Sequence, residues 1–237
     1  MLQWYDFLSA ARGIESAADV QKCTAEYSPG YRRMLAGILP ADKDAPIYDA
    51  GCGPGLTLSI LRELGYRNLE GTDLSATAVD IARASGLRAI QANSIEDLAA
   101  RPDHSFSRIF AVDIIEHMEK ADLMSFLKIA RSKLQADGML LIRCPNGDSP
   151  LVGRHLFNDM THVWTYTSTA ISGILMMNGF KAVTFLDETA PFVVRKRAIK
   201  LLALKIAVPL LRWLIRAATL ENVRIFAPSF WIVASAN

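Results

Sequence analysis

The sequence predicts an α/β fold, a mostly parallel sheet with helices on both faces, and three observations lead there. Short apolar runs alternate with amphipathic stretches from residue 47 to residue 186, an order that demands right-handed crossovers between parallel strands. The run Ile47-Tyr48-Asp49-Ala50 leads into Gly51-Cys52-Gly53-Pro54-Gly55 and then into the helical spacing of Leu56, Ile60, Leu61 and Leu64. Acids recur at the ends of the strand-like runs, at Asp49, Asp73 and Asp113, and that is the edge of such a sheet where ligands bind.

Each element has its own warrant. Residues 1–40 read as helical, with apolar positions at Trp4, Tyr5, Phe7 and Leu8 and again at Tyr31, Met34, Leu35, Ile38 and Leu39; Tyr27-Ser28-Pro29-Gly30-Tyr31 is a predicted break. The glycines after residue 50 let the backbone turn sharply and approach a ligand closely, and Pro54 suits a first helical turn. Residues 68–72 form a second strand ending at Asp73, 24 residues beyond Asp49. Residues 76–85 follow as a helix with Ser75 as N-cap, and 87–91 as a short third strand. Residues 106–112 are nearly continuous in apolar side chains, as a buried parallel strand should be, and run into Asp113-Ile114-Ile115-Glu116-His117. An amphipathic helix over 121–135, a turn at Ala136-Asp137-Gly138 and a strand over 139–146 come next. Residues 168–178 read as a helix closed by Gly179, 180–186 as the sixth strand and 225–235 as the last.

The bulk numbers narrow the class. At 237 residues, 51% apolar and 21% charged, the chain suits one α/β domain with a good core. A net charge of +2 argues against a dedicated nucleic-acid binder. Cys23, Cys52 and Cys144 are far apart with no C-x-x-C, so neither a zinc site nor a disulfide framework is expected, and a cytoplasmic setting fits. The first twenty residues lack a basic segment followed by an apolar core, so no secretory signal is expected.

The glycine spacing is G-x-G-x-G, not the G-x-G-x-x-G of a nicotinamide or flavin site. Together with Asp49 ahead of it and Asp73 at strand spacing, it resembles the S-adenosylmethionine (SAM)-dependent methyltransferases of the Rossmann-like class. The resemblance implies a three-layer sandwich around a seven-stranded sheet whose last strand is antiparallel, with SAM as cofactor. It divides the single domain into an N-terminal helical lid (1–40), a SAM-binding core (47–186), an insert (190–222) and the last strand (225–235). Gly51, Gly53 and Gly55 would wrap the methionine portion, and Asp49 would hold its ammonium or a bound water. Asp73, followed by Leu74, would accept from both ribose hydroxyls, while Asn93, Ser94 and Ile95 would bracket the adenine. Asp113 would meet the methionine amino end.

On the acceptor side, two histidines are candidate general bases. His117 closes an Asp-x-x-Glu-His run similar to that of O-methyltransferases acting on small molecules and quinone precursors. His162 lies in Asp159-Met160-Thr161-His162-Val163, a loop that resembles those of bacterial glycan methyltransferases and that also holds Arg154, His155 and Tyr166. Arg154, His155, Asp159 and Tyr166 are therefore expected to bind the acceptor. The expectation is O-methylation of a sugar or lipid-linked glycan, with a quinone or other aromatic precursor as the alternative; a non-catalytic SAM-binding or membrane-surface adaptor is the alternative of another class. No metal cluster is expected.

The insert between the last two strands is distinctive. Residues 191–220 carry Arg195, Lys196, Arg197, Lys200, Lys205, Arg212 and Arg216 and no acid, which leaves 19 basic against 24 acidic groups elsewhere. A break or kink is expected at Pro209. Uncharged runs here are too short to span a bilayer, so the segment over 195–216 reads as a peripheral membrane contact, a lid, or an oligomer interface.

Overall fold

The computed structural model describes residues 13–187, 198–219 and 225–237, with side chains over 207–217 in the helix of the insert. The start of the expected lid and the basic triplet Arg195-Lys196-Arg197 lie outside the described residues.

In chain order the elements are α1 (Ala17–Met34), β1 (Ile47–Ala50), α2 (Leu56–Glu63), β2 (Leu69–Asp73), α3 (Ala76–Ala84), β3 (Ala89–Gln91), α4 (Ser94–Ala99), β4 (Phe106–Val112), a 3-10 turn (Ile115–His117), α5 (Lys120–Lys133), β5 (Leu134–Pro145), α6 (Val152–Phe157), α7 (Ser168–Met177), β6 (Val183–Asp187), α8 (Ala198–Thr219) and β7 (Ser229–Ser235). The strands form one seven-stranded sheet in the order β3-β2-β1-β4-β5-β7-β6. β7 runs antiparallel to both neighbours, and the other pairs are parallel.

Strand alternation divides the core between the two faces. Tyr48, Ile109, Leu140 and Ile232 enter one cluster with Phe126, Leu127 and Ile171 of α5 and α7. Their neighbours Ile47, Phe110, Leu141 and Trp231 enter the other with Tyr31, Leu58 and Val79 of α1, α2 and α3. Each fully buried side chain of this size contributes about 1.5–3 kcal/mol, so both faces of the sheet need their helices.

Three expectations change. The predicted break at residues 27–31 is absent, and α1 runs through Pro29. Proline costs a helix interior about 3 kcal/mol, which tertiary contacts offset: the Ser28 hydroxyl donates to Glu63 Oε1 at 2.8 Å, and Tyr31 meets Trp231 edge-on at 5.5 Å. The predicted turn at 136–138 lies inside β5, where the register with β4 jumps from Phe106↔Leu134 to Arg108↔Met139; the extra residues bulge without ending the strand. α8 continues through Pro209.

Candidate active site

Two groups of side chains meet at the carboxyl edge of the sheet. The first is the turn after β1. Gly51, Gly53 and Gly55 all have positive φ, at 68°, 52° and 88°, and a Cβ on Gly51 would stand 2.6 Å from Ile114 Cδ1. Side chains hold the turn's amides from behind. The Gly53 N–H donates to Asp73 Oδ2 at 2.8 Å, while Asp73 Oδ1 accepts from the Ser75 N–H at 2.8 Å. The Gly51 N–H donates to Ser94 Oγ at 3.1 Å, and Ser94 Oγ lies 3.0 Å from Thr72 Oγ1. Tyr48 Oη extends this chain, 2.8 Å from Thr72 Oγ1 and donating to Asp97 Oδ2 at 2.9 Å.

Asp49 is 1% exposed, and neither carboxylate oxygen has a hydrogen-bond partner. Burial, then the charge of Asp73, pushes its carboxyl well above the usual range. Asp73 is raised too, chiefly by burial. Asn93 caps α4, its Oδ1 accepting from the Ile95 N–H at 2.8 Å, and the Leu74 side chain is exposed beside Asp73. Asp113 adopts φ 52°, uncommon for a non-glycine residue, and pairs with Arg143 on β5.

The second group lies beyond β4. Glu116 is buried, and its carbonyl accepts from the Val163 N–H at 2.8 Å, which ties the 3-10 turn to the loop holding His162. The His117 and His162 rings lie 4.7 Å apart. His162 Nε2 is 4.0 Å from Glu116 Oε1 and 3.9 Å from Asp159 Oδ2.

Hydrogen bonds define both tautomers. His162 Nδ1 is 2.8 Å from the Leu156 carbonyl, which only accepts, so Nδ1 carries the proton and Nε2 the lone pair. Thr161 Oγ1 donates its single proton to Asp159 Oδ1 at 2.6 Å. His117 Nδ1, 2.9 Å from that oxygen and 3.3 Å from the Thr161 carbonyl, must therefore donate, and its Nε2 is the basic nitrogen. Burial, then the neighbouring His162, lowers the His117 pKa.

Glu116, His117 and His162 also offer ligand atoms within 4.8 Å of one another, a group able to hold a metal ion. No such grouping was expected from the sequence, because more than forty residues separate positions 117 and 162 there. The other acceptor candidates are placed differently. Tyr166 is buried in the core, and Asp159 is buried with Oδ1 engaged by Thr161. His155 Nδ1 is 3.3 Å from Ser229 Oγ, while Arg154 is exposed on α6.

A family described as "Methyltransferase domain" matches residues 23–184. The chain belongs to this methyltransferase family. Its methyl donor is SAM. The methyltransferase is 29% identical over 107 residues to a ubiquinone biosynthesis O-methyltransferase of Xanthomonas campestris pv. campestris, a match covering 43% of this chain and 44% of the relative. It thus spans less than half the length of the curated relatives it matches. Among solved structures it resembles a SAM-dependent methyltransferase from Archaeoglobus fulgidus, with a TM-score of 0.65 and 20% identity over 86% of this chain and 92% of the other. It also resembles phosphoethanolamine N-methyltransferase 2 of Haemonchus contortus in complex with SAM, with a TM-score of 0.61 and 16% identity over 98% and 59% of the two chains.

The residues present in the methyltransferase fit that donor. A cation is what the buried, unpartnered Asp49 carboxylate lacks, and the Asp73 carboxylate, held by backbone amides, is an acceptor suited to the ribose hydroxyls. Sequence reasoning missed Arg143 and the hydrogen bonds that tie Tyr48 and Thr72 to Ser94. Arg143 had a signal, as the one charge in the run Leu140-Leu141-Ile142-Arg143-Cys144.

Proposed function

We propose that this methyltransferase methylates a hydroxyl group on an aromatic or lipid-attached small molecule, with His162 as general base. When bound, SAM supplies a methyl carbon already activated by a positive sulfur. Asp73 would hold the ribose hydroxyls, and Gly51, Gly53 and Gly55 would line the methionine portion. Asp49 would meet the ammonium, directly or through a water, a better partner than Asp113 because Asp113 already faces the Arg143 guanidinium. The backbone at Asn93 and Ile95, beside the exposed Leu74, would border the adenine.

The observation that carries the acceptor half is the meeting of Glu116, His117 and His162 just past the end of β4. As the acceptor oxygen took the methyl group that bound SAM would supply, leaving the neutral thioether, His162 Nε2 would take the hydroxyl proton. Glu116 and Asp159 would stabilise the imidazolium that results. General-base assistance of this kind contributes about 10²–10⁴-fold.

An aromatic acceptor is favoured over a glycan by what surrounds this cluster. Of the polar groups that suggested a sugar, Asp159 and Tyr166 are buried, His155 contacts Ser229, and Arg154 remains exposed on α6. Phe157, Met160, Val163 and Trp164, from the same loop, are exposed. The likeness to ubiquinone biosynthesis O-methyltransferases points the same way. The experiment is methyl transfer from labelled SAM to catechols, hydroxybenzoates and nucleotide sugars, with and without a chelator. Labelled phenolic ether is expected. Transfer to nucleotide sugars alone would restore the glycan reading, and transfer abolished by the chelator would assign the histidines to a metal ion.

A further inference from the structure

Helix α8 faces the opposite way from an ordinary packed helix. At 100° per residue, Val208 and Ile215 fall on one side of it, and these are the partly covered side chains within 207–217. Trp213, Leu210 and Leu214 lie on the other side, within an arc of about 100°, and are 65%, 56% and 47% exposed. A surface helix normally buries its apolar stripe. This one turns that stripe to solvent.

The orientation is anchored. The Arg212 guanidinium lies 5.4 Å from the centroid of the Phe226 ring. The Phe226 carbonyl accepts from Ser149 Oγ at 2.8 Å, at the start of the segment that bears the exposed Leu151, Phe157 and Met160. The side of α8 that carries Arg212, next to the partly covered Val208, is thus the side turned toward Phe226, and the apolar face points away from it. Arg216 flanks that face along one edge, within a stretch of seven basic residues and no acid.

We propose that α8 is an interfacial helix that docks the methyltransferase on an anionic lipid bilayer, its apolar face in the acyl boundary and its basic residues at the headgroups. The charge selects the occupant. A second copy meeting the same face across a two-fold axis would set one basic, acid-free segment against another, whereas anionic headgroups complement it. No helix of the described residues is long and apolar enough to cross a membrane, so the contact is peripheral. Docking through α8 does not depend on which acceptor is methylated.

Sedimentation of the full chain with vesicles tests this in the absence of donor and acceptor. Binding is expected to vesicles of phosphatidylcholine with phosphatidylglycerol, to weaken with salt, and to be slight on phosphatidylcholine alone. Trp213→Ser combined with Leu210→Ser is expected to weaken it at least about tenfold, and Arg216→Gln about fivefold, the equivalent of about 1 kcal/mol per basic residue. These side chains are exposed, so melting temperature and circular dichroism should not change. Binding to neither vesicle, or equal binding by wild type and variants, overturns the proposal. A wild-type dimer that Trp213→Ser converts to monomer, with no vesicle binding, overturns it in favour of a second copy.

Discussion

The cofactor half and the acceptor half of this methyltransferase are built differently. Around the turn after β1, the groups proposed to meet SAM come from strand ends and the turns that follow them, and backbone amides or short side chains hold them. Around His162, the groups come from a 3-10 turn and a loop more than forty residues away, joined by Glu116 carbonyl contacts and the Thr161 bridge. The cofactor half is fixed by the ends of adjacent strands of one sheet, which hold Asp73 and Ser94 against the Gly53 and Gly51 amides, while the acceptor half depends on contacts between loops.

The largest expected effect would break the cofactor half alone. Asp73→Ala removes the ribose acceptor and frees the Gly53 amide, and hydrogen bonds to charged groups are worth about 1.5–3 kcal/mol each. SAM affinity measured by calorimetry should fall at least about a hundredfold. His162→Ala should do the converse, lowering turnover by about 10²–10⁴-fold while leaving SAM affinity within a factor of about two. Loss of SAM binding in that variant would mean that the two halves are not separable.

Thr161→Val sharpens the contrast. It deletes the hydroxyl between Asp159 and His117 at nearly constant volume, so turnover should fall by about tenfold, the loss of a net hydrogen bond of about 1–1.5 kcal/mol, and KM for SAM should hold. Asp49→Asn tests the orphaned carboxylate. Between pH 3.8 and its raised folded value, the native state keeps a proton that the unfolded chain has lost, so the wild type loses stability as pH rises through that window. The apo variant should therefore melt a few degrees higher at pH 7, roughly the effect of 1 kcal/mol, yet bind SAM more weakly.

The smallest effect is in pH dependence. His117 titrates below 6.5 in the folded state, so as pH falls below 6.5 the unfolded chain protonates first and stability drops. His117→Asn should flatten that acid limb of the thermal-melting profile, and an unchanged limb would place the titrating group elsewhere.

How much of this was readable in advance depended on whether the determining contacts were local. Gly51, Gly53, Gly55, Asp73 and the Ser75 cap lie within a few residues of the turns they serve, and their conformational needs show in the residue types. Pro29 misled for the same reason. Local propensity argues for a break, but Ser28 bonded to Glu63 and Tyr31 packed on Trp231 outweigh it in α1.

The sequence by itself determined the alternation of strands and helices, the glycine turn, the acids at the strand ends and the basic, acid-free insert, because period, spacing and composition are properties of neighbouring residues. Tertiary structure alone decided that positions 116, 117 and 162 form one cluster, that Thr161 sets the His117 tautomer, and that α8 turns Leu210, Trp213 and Leu214 outward. Those outcomes rest on which distant surfaces pack together, and no local pattern encodes that choice.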